Sequence, residues 1–120
     1  MDKILKYSVM RYSPFAATEK ITLGILFFEE QKNYRMFKVL ADFDKWPNIA
    51  DDVPVEMLKK LLYGIKEEAE SKIYQTKTFD IEDYIRFYLN AFRFDGVQTV
   101  KYDDLDKSIM EIVQSSLDEW

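Results

Sequence analysis

The 120-residue sequence predicts an α+β domain. A small antiparallel sheet, made of a three-strand meander and one later strand, is covered by about three helices in the order β-β-β-α-α-β-α. Three observations carry this expectation. Segments rich in β-branched and aromatic residues crowd the first forty positions, two downstream stretches repeat apolar residues at a helical period, and acids stand where those helices would begin. At this length residues 1–120 form one domain, able to bury roughly two-thirds of its unfolded surface.

The first strand is "KILKYSVMRYSP", which ends at Pro14. The second runs from about Lys20 to Phe28. Ile21, Leu23, Ile25 and Phe27 alternate on one face, and Leu26 and Phe28 join Gly24 on the other. With both faces apolar, it belongs in the middle of a sheet. "EEQKN" is a charged hairpin loop leading into a third strand, "YRMFKVL". Three consecutive antiparallel strands give a meander, the shortest connection available.

Pro54 marks the first position of a helix whose inward stripe is Leu58, Leu61, Leu62, Ile65, Ala69 and Ile73. A second helix starts at Asp80, with Asp83 in its first turn, and extends to about Phe92. Its apolar arc is wider than one packed face requires, so either two elements of the fold cover it or the flank of Tyr84 and Phe87 is left for a partner. "FDG" closes that segment. "VQTVKY" is the fourth strand, and Asp103 or Asp104 caps a last helix with Leu105, Ile109, Ile112 and Val113 inward. These helices are expected on one face of the sheet. Tyr63 and Met110 fall on polar sides of their helices, as scattered apolar residues often do.

Composition excludes much chemistry. The chain has no cysteine and no histidine, which removes disulfides, thiolate nucleophiles, thiolate or imidazole metal sites and histidine-based triads. No apolar run approaches the roughly 18 residues of a membrane span, and the start "MDKILKYSVM" resembles no leader, so a soluble cytoplasmic protein is expected, without cofactor or membrane contact. The net charge of −5 is uneven: residues 1–40 carry +3 and residues 103–120 carry −5. The acidic end would repel a nucleic-acid duplex, and no direct nucleic-acid binding is expected.

Four groups of residues are candidates for a site. Arg11 and Glu19 would face each other across the first hairpin beside Gly24, a polar pocket suited to an anion or a peptide terminus. The competing reading is a plain ion pair, with Gly24 making room for a large aromatic from a helix; this is the expected answer to what lies against Gly24. Asp42 and Asp44 in "DFDK" offer strand-end carboxylates for Mg²⁺, against the simpler reading of a solvated loop. The clusters Asp80-Glu82-Asp83 and Asp103-Asp104-Asp106 look like metal loops only superficially; both sit where a helix begins, and capping that suits the helix dipole is the expected role. Trp46, in the loop "FDKWPNI" with Phe43 and Ile49, is either an interface anchor or part of a lid folded onto the sheet.

The opening Tyr7, Ser8, Val9, Arg11, Tyr12 and Pro14, followed by Glu19 and Gly24 and later by "VQTVKYDDLDKSI", resembles the small bacterial domain-of-unknown-function family numbered 3037. The likeness spans most of the chain and is strongest in the first 30 residues; Thr22 departs from it, since members favour asparagine there. The family has no established activity. Its members are often encoded beside kinases of the HipA type, which implies a regulatory or partner role.

The expected function is therefore a non-catalytic module that regulates by occupying a protein partner, a kinase or defence protein among them, with self-association as a further mode. Trp46, Tyr84, Phe87, Asp103, Asp104 and Asp106 would meet that partner. One rival is a small acidic inhibitor, of the kind phages and mobile elements aim at host defence proteins, whose C-terminal acids imitate nucleic acid. The other is a metal-dependent nuclease or phosphoesterase built on Asp42 and Asp44.

Overall fold

A computed structural model describes residues 3–12, 21–46, 53–70, 81 and 92–117. The elements in chain order are β1 (Ile4–Tyr12), β2 (Ile21–Glu29), β3 (Tyr34–Val39), α1 (Val55–Glu70), β4 (Phe92–Phe94), β5 (Gln98–Lys101) and α2 (Leu105–Leu117). The class is α+β with an antiparallel sheet, and the meander β1-β2-β3 is present. The expected order is corrected in two ways. The sheet has five strands, because Phe92–Phe94 is a strand, where the expected helix ran to about Phe92 and "FDG" closed the segment. Two helices are present among the described residues, not three; the expected middle helix, Asp80 to about Phe92, falls outside them apart from Ile81 and Phe92.

Strand β1 is the axis of the sheet. One edge pairs with β2, and the other pairs with β4 at its C-terminal end and β5 at its N-terminal end. The order across the sheet is β3-β2-β1-β4, with β5 continuing along the β4 side. Asn33 closes the β2-β3 hairpin with φ of 48°, a left-handed conformation that asparagine tolerates better than most residues.

The helices cover opposite faces rather than one. Leu58, Leu62, Ile65 and Ala69 of α1 pack with Met10, Tyr12, Leu26, Phe28 and Phe37. Ile109 of α2, with Leu105, Ile112 and Val113, packs with Leu5, Val9, Ile25 and Phe27. A sheet with helices on both sides explains why β2 is buried along nearly its whole length.

A β-bulge redistributes β2 between these cores. Met10 pairs with Gly24 but Arg11 pairs with Thr22, so Leu23 is the extra residue. Its carbonyl accepts the amides of Leu40 (2.8 Å) and Ala41 (3.0 Å). Strict alternation would put Ile21 and Leu23 with Ile25 and Phe27; the bulge turns them instead toward the α1 core.

Gly24 is answered here as well. A Cβ on it would lie 2.5 Å from Phe37 Cζ and 2.8 Å from the Lys38 carbonyl oxygen. The close approach is made by an aromatic side chain, as expected, but from the neighbouring strand β3 and not from a helix.

Candidate functional site

A second irregularity in the sheet creates the candidate site. Met10 pairs with Phe94 and Tyr7 with Gln98, so Asp95, Gly96 and Val97 stand against only Ser8 and Val9. The ladder opens between β4 and β5, and Asp95 pins the opening to β1. Its amide donates to the Val9 carbonyl (2.8 Å), its carbonyl accepts from the buried Ser8 hydroxyl (2.5 Å), and its carboxylate accepts from Arg11 Nε (2.6 Å). Arg11 Nη1 donates in turn to the Thr22 hydroxyl (2.9 Å). The guanidinium is thus held from both sides, at 18% side-chain exposure, in a charge-assisted arrangement that fixes its plane.

Between this seam and the last turns of α2 lies a cleft of about 330 Å³. Val9 and Ile112 supply apolar wall, while Tyr7, Arg11, Asp95, Gln98, Glu111, Ser115 and Ser116 supply polar groups. Gly96 leaves its rim open, since a Cβ there would meet nothing within 4 Å. The polar side chains come from β1, the β4-β5 seam and α2, three elements fixed by the core beneath them.

The expected site residues are distributed differently. Arg11 lies in the cleft, but its partners are Asp95 and Thr22. Glu19 lies outside the described residues. Gly24 packs against Phe37 on the α1 side of the sheet, away from Arg11, so a pocket joining Arg11 to Gly24 does not form. Tyr84 and Phe87 lie outside the described residues, as do Asp80, Glu82 and Asp83.

Trp46 is not an exposed anchor. It is 1% exposed, donates from Nε1 to the Val53 carbonyl (2.8 Å), and stacks edge-on with Tyr12 at 5.1 Å. Trp46 itself is folded onto the core, as in the lid reading; Pro47, Asn48 and Ile49 of the same loop lie outside the described residues. Phe43 of the same loop lies 6.2 Å from Tyr63, whose exposure is 49%, with Lys59 5.4 Å over the Phe43 ring.

Asp103, Asp104 and Asp106 are all exposed. Asp104 caps α2 by accepting the Lys107 amide (3.2 Å). Asp42 makes a tight local turn, accepting the Asp44 amide (3.1 Å) and lying 3.9 Å from Lys45. Among the described residues no three His, Cys, Asp or Glu side chains gather as a metal set.

At the far end of the sheet, Glu29 and Tyr102 are buried side by side. Glu29 Oε1 accepts the Gln31 amide (2.9 Å). Burial, with the Glu29 carboxylate nearby, holds the Tyr102 phenol above its usual range.

Asp95, Gln98, Glu111, Ser115 and Ser116 went unrecognised in the sequence. One signal was there: Ser116 falls seven residues after Ile109 and four after Ile112, on the stripe that should be apolar, and it is 7% exposed. No protein-family model, curated protein or solved structure matches the chain. The resemblance therefore rests on the residues that carry it, Tyr7 to Gly24 and "VQTVKYDDLDKSI", alone.

Proposed function

We propose that the chain is a non-catalytic module that binds a protein partner and regulates it by occupation. The observation that carries this reading is the cleft beside Arg11, where recognition groups from three rigid elements line an open space. Arginine remains protonated at any physiological pH, so a guanidinium clamped between a carboxylate and a hydroxyl positions or recognises and does not shuttle protons. The cleft lies at the small end of the roughly 300–1,000 Å³ range of ligand sites, suited to a side chain or a short segment of a partner. A kinase is the partner class implied by the resemblance; a defence protein belongs to the acidic-inhibitor reading.

A second reading, the acidic inhibitor, draws on Asp103, Asp104 and Asp106, all exposed at the other end of α2. A photo-crosslinking amino acid placed in cells at Gln98, at Lys107, or at Glu67 on the exposed side of α1 separates the two. A discrete protein adduct from Gln98 supports the cleft, and one from Lys107 alone supports the acidic end. Equal adducts from all three positions, or none from Gln98 and Lys107, would refute both.

A further inference from the structure

We propose that the cleft receives a basic side chain, arginine or lysine, of the partner protein; this rests on the binding-module reading above. The charge of the lining points this way. Arg11 is neutralised by Asp95 at 2.6 Å, which leaves the Glu111 carboxylate as the excess charge of the wall. No ion pair or hydrogen bond engages Glu111 among the described residues. Ser115 and Ser116 belong to the last turns of α2, whose C-terminal carbonyls carry the negative end of the helix dipole, and no basic residue occupies that last turn.

Two further observations point to a long cationic side chain rather than a bare ion. Ser116 is 7% exposed and lines the cleft; no hydrogen bond engages its hydroxyl among the described residues, and that hydroxyl is not one of the fully buried unpartnered atoms, so it is open to the cleft. It is an acceptor waiting at the wall. Tyr7 offers an aromatic ring, the surface on which a guanidinium or ammonium is attracted by the ring quadrupole, and Val9 and Ile112 offer apolar wall for a methylene stem. A partner with exposed basic residues would also be drawn to a chain of net charge −5. Arg93 opposes this field. It stands across the ladder from Arg11, but it is exposed and forms no part of the lining.

The test is an amide-shift NMR titration of the full chain with three capped tripeptides, Gly-Arg-Gly, Gly-citrulline-Gly and Gly-Glu-Gly. The arginine peptide should shift the amides of Tyr7, Arg11, Gly96, Gln98 and Ser115, and bind roughly tenfold more tightly than the citrulline peptide, a difference of about 1.4 kcal/mol. Added salt should weaken it. Glu111→Gln should reduce its affinity about threefold or more, in the range of a partly exposed charge pair. Gly96→Val should abolish the shifts while the remaining spectrum stays folded, because its side chain enters open space at the rim. Arg93→Ala should leave affinity unchanged or raise it. Equal binding of the arginine and citrulline peptides, the same shifts from the glutamate peptide, or loss of binding in Arg93→Ala would overturn the proposal. If a protein adduct forms from Gln98 but the arginine peptide shifts nothing, the cation proposal falls and the binding module stands. If the peptide binds and no adduct forms, the module falls and the cation site stands.

Discussion

Replacing Gly24 by alanine isolates one packing decision in the sheet. The added carbon would sit 2.5 Å from Phe37 Cζ and 3.1 Å from Cε1, well inside ordinary contact, and 2.8 Å from the Lys38 carbonyl oxygen. Neither neighbour yields easily. Phe37 is fully buried and lies edge-on to Phe94 at 6.2 Å, and the Lys38 carbonyl belongs to the β3 backbone. Overpacking of this kind costs about 1–3 kcal/mol, against which alanine recovers about 0.5–1 kcal/mol of strand backbone entropy. The net expectation is a loss of about 1–2 kcal/mol for Gly24→Ala and about 3 kcal/mol for Gly24→Val, whose methyls add to the same clash. Urea unfolding reads this directly, and each kcal/mol should also lower Tm by roughly 3–5 °C for a domain of this length. A double-mutant cycle with Phe37→Leu names the cause: if the ring is the obstacle, the two changes should couple by more than about 0.5 kcal/mol, the smaller ring-free side chain relieving the added methyl. A Gly24→Ala variant as stable as the parent would show that the ring has room, and the close approach would be refuted.

Three other expectations follow from the same geometry. Trp46→Ala should destabilise by about 3–5 kcal/mol in urea unfolding, since it empties a buried site and strips the Val53 carbonyl of its donor; a loss under about 1 kcal/mol would return Trp46 to the surface. Asp104→Ala should cost about 1 kcal/mol through the lost cap of α2 while leaving the amide shifts of the cleft unchanged, which an NMR spectrum of the variant checks. Tyr102 is held protonated in the fold, so the unfolded chain loses its proton first as pH rises past about 10; the stability it contributes is complete below that pH and is lost as pH climbs through the raised folded value. Denaturation curves across that alkaline range should therefore fall more steeply for the parent than for Tyr102→Phe, and parallel curves would contradict the assignment.

Local patterns were legible in the sequence wherever a single segment carried the information. The stripe Leu58, Leu62, Ile65 and Ala69, the cap at Asp104 and the meander were all readable from spacing alone, because periodicity and capping act within a few residues. Even the crowding at Gly24 could be inferred, though not that Phe37 causes it. What escaped depended on distant partners. Strand β4 has three residues, Phe92–Phe94, too few to show an alternation against the helical pattern before it. The bulge at Leu23 reverses the facing of Ile21 and Leu23; a glycine inside a strand, Gly24, marks a bulge or a close approach, but it does not say that the residue before it is the extra one or how the faces are exchanged. The two apolar faces of β2 already required cover on both sides, yet the expectation kept the helices on one. Trp46 was ambiguous for a related reason: its indole donates to a carbonyl seven residues on, a bond visible only once the loop is folded. The cleft was least legible of all, because Arg11 meets Asp95 across 84 positions.

That separation has a kinetic side. The hairpins of β1, β2 and β3 close over short loops, but the second edge of β1 finds its partners only when residues 92–101 return to it, with Ser8 and Asp95 87 positions apart. Contacts so remote form slowly, because the chain entropy of closure is lost before they reward it. Until they form, the β1 edge is an open row of amides and carbonyls, a template on which another copy could align. The clamp of Asp95 on Val9, Ser8 and Arg11 therefore belongs to the same contacts that cover the β1 edge and shape the cleft, so a chain able to bind there is a chain in which that edge is already paired.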